Sequence, residues 1–101
     1  MLKHINSVAE FDNEIKEGLV LVDFFATWCG PCRMLSPVLE EVAEENPNLK
    51  VLKIDVDEVG PLAARFGISS IPTLMLFKNG TRVETRVGYQ NKNQLLAFIN
   101  Q

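Results

Sequence analysis

One histidine and two cysteines in 101 residues leave little with which to build a metal centre or a disulfide framework. A small secreted domain stapled by bridges needs more cysteines than that. Zinc needs about four ligands, and His4 stands far from the cysteine pair with no second pair to join it. The longest apolar run is Leu95 to Ile99, much shorter than the roughly 20 residues of a membrane helix, so no bilayer span is expected. Asn6, Ser7 and Glu10 stand where a secretory leader would carry its apolar stretch. No cleaved signal is therefore expected, and a reducing cytoplasm is the expected compartment. Basic clusters are missing too: ten Lys and Arg are scattered among thirteen Asp and Glu, for a net charge of −3. That pattern gives little support for binding nucleic acid or anionic lipid. With no internal repeat, low-complexity tract or linker, one domain over residues 1–101 and one site on it are expected.

What is present is an ordinary globular composition, 47% hydrophobic and 23% charged. Ser7 and Glu10 form a capping-box pattern, and Val8, Phe11 and Ile15 follow at helical spacing, predicting a helix near 7–17 that stops at Gly18. Leu19 to Phe25 is nearly continuous in apolar, β-branched and aromatic residues and reads as a strand covered on both faces, interrupted by Asp23. From Met34, apolar residues recur as Met34-Val38-Val42 and Leu35-Leu39-Ala43 with glutamates opposite, an amphipathic helix ending near Asn46-Pro47 and carrying Pro37 as a bend. Val51–Val56 reads as a strand, and Pro61–Phe66 as a short helix stopped by Gly67. Thr73–Phe77 and Thr81–Val87 flank Lys78-Asn79-Gly80, a hairpin signal, because Asn-Gly accepts positive φ. Asn91 and Gln94 cap a last helix. With a short strand at Leu2–Ile5, the order is β-α-β-α-β-α-β-β-α. Parallel strands joined by crossovers and a terminal antiparallel hairpin make a mixed sheet in an α/β fold.

Trp28-Cys29-Gly30-Pro31-Cys32 falls between the apolar strand and the amphipathic helix, the strand end at which α/β sheets bind ligands. If Cys29 occupies the first turn and Cys32 the next, their Cα atoms are about 5 Å apart, within disulfide reach. Cys29 then lies among the unpaired amides at the positive end of the helix dipole, which favours thiolate over thiol. Pro31 suits a helix start and stiffens the turn. Arg33 is either an added positive charge or a solvated helix residue. Three readings of the pair compete. A structural bridge over four residues contributes only about 1.9 kcal/mol by loop entropy, a zinc site lacks ligands, and a reactive dithiol suits both spacing and context.

Asp23 is the second anomaly, since a carboxylate in an apolar strand is costly unless paired, and burial raises its pKa. It is either a hydrogen-bonded structural residue or, six residues before Cys29, a group placed to exchange a proton with Cys32. Lys53 is either its charge partner or a solvated strand residue. Ile71-Pro72 precedes the fourth strand, and only about 5–6% of such bonds in folded proteins are cis.

Val22-Asp23-Phe24-Phe25-Ala26, Trp28-Cys29-Gly30-Pro31-Cys32, Ile71-Pro72-Thr73, Lys78-Asn79-Gly80 and Val87-Gly88 together resemble the thioredoxin family over nearly the whole chain. That resemblance implies a single mixed five-stranded sheet, order 3-1-2-4-5, flanked by four helices. It implies Cys29 as attacking thiol, Cys32 as resolving thiol, Asp23 as buried proton-transfer group with Lys53 beside it, and a cis Pro72 facing the dithiol. The implied partner-binding rim is Trp28, Gly30, Pro31, Val56, Ile71, Gly88 and Tyr89. Phe25 departs from the family where many members carry a second Trp, and Ser70 where a Gly is frequent. The implied activity is general protein disulfide reduction by a monomer, without a bound cofactor or metal. Its partners are disulfide-containing proteins and, as electron donor, an NADPH-dependent flavoenzyme, thioredoxin reductase. An oxidase or isomerase of the same fold, or a redox-independent accessory subunit gripping its partner through the same rim, are the alternatives.

Overall fold

A computed structural model describes residues 1–101. In chain order the elements are β1 (Leu2–His4), α1 (Val8–Glu14), β2 (Leu19–Phe25), α2 (Gly30–Glu45), β3 (Leu49–Asp55), α3 (Gly60–Arg65), β4 (Thr73–Lys78), β5 (Thr81–Val87) and α4 (Lys92–Ile99). They form one five-stranded sheet in the order β1-β3-β2-β4-β5. The β1, β3 and β2 strands run parallel, while β4 runs antiparallel to β2 and β5 to β4. The mixed sheet, the five strands and the four helices are as expected, but the 3-1-2-4-5 order is not. The reason lies in burial: β3 is buried along almost its whole length, and β1 is three half-exposed to exposed residues. A strand buried on both faces needs neighbours on both edges, so β3 lies inside and the short β1 takes the rim.

Alternation along β2 divides the core between the two faces of the sheet. Val20, Val22 and Phe24 pack with Phe11, Ile54, Leu62 and Phe77 beneath α1 and α3. Leu21 packs with Leu35, Leu39, Val51, Leu74 and Phe98 beneath α2 and α4. By the same alternation, Asp23 and its register partner on β3, Lys53, fall on the α2 face at the strands' carboxyl ends.

Local endings follow the capping chemistry. The side chain of Ser7 accepts the Glu10 amide at 3.1 Å, while the Glu10 carboxylate accepts the Asn6 amide at 2.8 Å. Helix α1 stops at Glu14, three residues before the expected end, because the following backbone is tied to the hairpin. Asn79 Oδ1 accepts the Gly18 amide at 2.8 Å, and Gly18 O accepts the Asn79 amide at 3.0 Å. In the hairpin, Asn79 and Gly80 take φ of 50° and 87°, the positive values of a two-residue type I′ turn. Helix α2 runs through Pro37, and the Asn91–Gln94 capping box closes the start of α4.

Candidate active site

The site is assembled where β2 ends and α2 begins. Cys29 is the N-cap residue of α2, with Gly30 and Pro31 opening the first turn. Its Sγ accepts the Cys32 amide at 3.2 Å. It therefore takes one of the four unpaired N–H groups at the helix start, an arrangement that stabilises negative charge on sulfur in the reduced form. The two sulfurs are joined, with Cα atoms 5.2 Å apart. Cys29 and Cys32 are both buried and cluster with Ala26, against which Phe25, Val56 and Ile71 pack.

The Ile71-Pro72 bond is cis. The Ile71 carbonyl oxygen approaches Cys29 Sγ to 3.8 Å, and the Pro72 carbonyl accepts the Gly88 amide at 2.8 Å. This brings Ile71, Pro72 and Gly88 to the dithiol from the opposite side of the chain. Gly88 has φ of 99°, a conformation that favours glycine. Around this centre, Trp28 is 67% exposed and Tyr89 40%. The Trp28 indole is fixed by donation from Nε1 to Asp57 Oδ2 at 2.8 Å, and the Asp57 amide in turn donates to Asp55 Oδ1 at 2.8 Å.

Beneath the dithiol face, Asp23 is fully buried, and neither carboxylate oxygen has a hydrogen-bond partner. Burial pushes its carboxyl up to about 7, against a smaller downward pull from the Lys53 charge. Lys53 sits beside Asp23 in register, but it does not close an ion pair on it. Its Nζ donates to Ser36 Oγ at 2.9 Å and lies 4.7 Å from the centre of the Phe25 ring. The attraction between Lys53 and Asp23 therefore acts through space. A solvent-open recess of about 280 Å³ lies behind Cys32, lined by Phe25, Ala26, Thr27, Cys32, Arg33, Ser36 and Lys53. Arg33 is exposed and its Nη1 donates to the Thr27 carbonyl at 3.1 Å, so its charge is directed to the loop rather than to the sulfurs. No group of three or more metal-ligating side chains occurs in the chain.

With that geometry in place, the thioredoxin family model matches residues 3–101. The chain belongs to the thioredoxin family. Listeria monocytogenes thioredoxin is 53% identical over 102 residues, covering 100% of this chain and 98% of that protein. Bacillus subtilis thioredoxin is 50% identical over 92 residues, covering 90% and 88%. Among solved structures, Plasmodium falciparum thioredoxin superposes with a TM-score of 0.90 at 41% identity, covering 97% of this chain and 96% of that one. Malassezia sympodialis thioredoxin gives 0.89 at 38%, covering 99% and 91%. Like other thioredoxins, this chain is a thiol–disulfide oxidoreductase, with its Cys-X-X-Cys pair at disulfide distance. Disulfide-containing proteins and a reductase are the partners this membership entails, and no helix is long and apolar enough to cross a membrane.

Every residue of the expected rim except Tyr89 is fixed to the dithiol end by an element described above. Val56 follows the last residue of β3, its amide held by the Phe25 carbonyl at 2.9 Å, and Tyr89 follows Gly88 as an exposed ring. Two polar contacts escaped the sequence reading. Asp57 had no spacing to single it out. Ser36 did carry a signal, since it stands four residues after Cys32 and so shares its helix face.

Proposed function

We propose that the chain is a general protein disulfide reductase working as one monomeric domain over residues 1–101. The observation that carries this reading is the N-cap position of Cys29, whose sulfur receives the Cys32 amide at 3.2 Å while Cys32 waits one turn further in. The Cys29 thiolate attacks one sulfur of a substrate disulfide. That S–S bond breaks, the departing thiolate takes up a proton, and Cys29 is left in a mixed disulfide. The Cys32 thiol then passes its proton to the Asp23 carboxylate, directly or through water, and attacks Cys29 Sγ. The mixed disulfide breaks as the Cys29–Cys32 bond forms, and the second substrate thiolate leaves and is protonated. In net terms the substrate gains two electrons from the dithiol and two protons, one given up by Cys32 by way of Asp23 and one from solvent, which received the proton that Cys29 lost on ionising.

A carboxyl whose pKa lies near 7 is matched to accepting a proton at neutral pH. An apolar platform of Trp28, Gly30, Pro31, Val56, Ile71, Pro72, Gly88 and Tyr89, with Asp57 engaged by the Trp28 indole at its edge, suits weak docking of many different protein disulfides. The spent disulfide needs two electrons from another protein, and an NADPH-dependent flavoenzyme of the thioredoxin reductase class in a reducing cytoplasm fits that need. Cys32→Ser tests the two-step scheme. Incubated with a disulfide substrate, this variant should accumulate a Cys29-linked adduct visible on a non-reducing gel and released by dithiothreitol. Failure to form any adduct overturns the assignment of Cys29 as attacking thiol.

A further inference from the structure

Ser36 lies outside the rim and outside the dithiol, yet it makes the hydrogen bond that decides where the Lys53 ammonium rests. We propose that Ser36 is a positioning residue of the exchange reaction: by accepting the Lys53 hydrogen bond it holds the ammonium away from Asp23 and keeps that carboxylate without an ion pair. The inference rests on the proposed proton transfer from Cys32 to Asp23 for its consequence, but the geometry stands without it.

Three observations support it. Asp23 and Lys53 are direct register partners on adjacent strands and point to the same face, so an unrestrained lysine there would be expected to reach the carboxylate. It does not: both Asp23 oxygens lack any partner, and no ion pair within 4.0 Å joins the two residues. The lysine instead ends on Ser36 Oγ at 2.9 Å and over the Phe25 ring at 4.7 Å. Helical spacing makes this possible, because Ser36 follows Cys32 by four residues and faces the same recess.

The groups surrounding Asp23 leave few other sources of such an effect. From α2 come the joined Cys29 and Cys32, while Arg33 is bonded to the Thr27 carbonyl. From β4 comes apolar Leu74, the register partner of Asp23 on that side. His4 on β1 pairs with Lys53 rather than with Asp23, and its ring packs edge-on to Phe25 at 6.0 Å between centres. Lys53 is thus the only cation next to Asp23 in the sheet, and Ser36 is its hydrogen-bond acceptor. With the ammonium held off, burial is the larger influence on the Asp23 carboxyl and outweighs the downward pull of the Lys53 charge.

The test is a pH titration of the Asp23 side-chain carbon by NMR in the oxidised protein, where no thiol titrates. Ser36→Ala frees the ammonium to turn toward the carboxylate, which favours the charged form, and should move the midpoint down by about one pH unit. Alanine is the better helix former, so the fold is retained. Ser36→Thr keeps an acceptor hydroxyl and should restore the original midpoint. Lys53→Met removes the attraction and should move the midpoint up. In the Lys53→Met background, Ser36→Ala should then have no further effect, because Ser36 acts only through Lys53. An unmoved midpoint in Ser36→Ala, or an equal shift with and without Lys53, overturns the proposal. The acid limb of the mixed-disulfide resolution rate gives a separate reading. If Asp23→Asn leaves that limb intact, Asp23 is not the proton acceptor, whereas the NMR midpoints still decide the position of Lys53.

Discussion

The buried carboxyl makes a strong and unusual demand on stability. In the folded chain Asp23 titrates near 7, whereas an unburied aspartate titrates at 3.8. Between those values the folded protein keeps a proton that the unfolded chain has released, so unfolding releases protons and the fold weakens as pH rises. Three pH units at 1.36 kcal/mol each make the loss about 4 kcal/mol, complete once the pH exceeds the folded value. Set against total stabilities of roughly 5–15 kcal/mol, this is a large fraction. Asp23→Asn removes the titration while nearly preserving shape. Exchanging carboxyl for amide in an unbonded site has its own cost, but that cost is the same at every pH, so the change with pH isolates the carboxyl. Urea denaturation of the disulfide-intact protein, with m-values checked for equality, should give a stability difference between variant and parent that moves by about 4 kcal/mol in the variant's favour from about pH 4 to about pH 8. The parent curve should fall across that interval and flatten above it. Parallel curves for the two proteins would refute the assignment of a raised pKa to Asp23.

Trp28→Ala should leave stability within about 0.5 kcal/mol, since the ring is mostly exposed. It should lower kcat/KM for protein disulfides by about tenfold through KM, which an insulin-reduction assay at varied substrate reads, because under the proposed function this exposed aromatic, held by Asp57, is part of the docking rim. Asn79→Ala should cost about 2 kcal/mol by thermal or urea unfolding, half from the lost bond to the Gly18 amide and half because alanine tolerates φ of 50° less well than asparagine does. Asn79→Gly relieves the second term only and should cost about half as much.

The parts of this molecule that the sequence makes legible are those in which a residue conflicts with its local setting. An aspartate inside Leu19–Phe25 has no place in a strand covered on both sides, and it is fully buried there. Two cysteines three apart at a strand-to-helix junction place their own Cα atoms, because helix geometry alone brings them to 5.2 Å. Asn79-Gly80 dictates its own turn. What stayed hidden depends on partners distant in the chain. The end of α1 is set by hydrogen bonds to Asn79, 61 residues beyond Gly18. The place of β3 inside the sheet follows from how little of it reaches solvent, which its two lysines, Lys50 and Lys53, disguise. Lys53 in particular reads equally well as a charge partner of Asp23 or as a solvated strand residue, and it is only 7% exposed. Ser36 looks like one more polar position on an amphipathic helix until Lys53 is seen to end on it.

These hidden contacts bear on why the carboxyl can be kept at all. A buried Asp23 paired directly with Lys53 would be ionised well below neutral pH, and the stability lost to burial would be partly recovered. It would also be a weaker base toward a cysteine thiol, whose ordinary pKa is about 8.5, because the proton would have further to climb. Holding the ammonium on Ser36 and Phe25 leaves the charge of Lys53 satisfied without giving it to the carboxylate. Under the proposed mechanism, the instability at neutral pH and the basicity offered to Cys32 are one quantity, the free energy of an ionised Asp23 in this site. A substitution that stabilises the folded protein by drawing Lys53 onto Asp23 must therefore weaken the base by the same amount, and measuring both in the Ser36→Ala variant sets the two against each other directly.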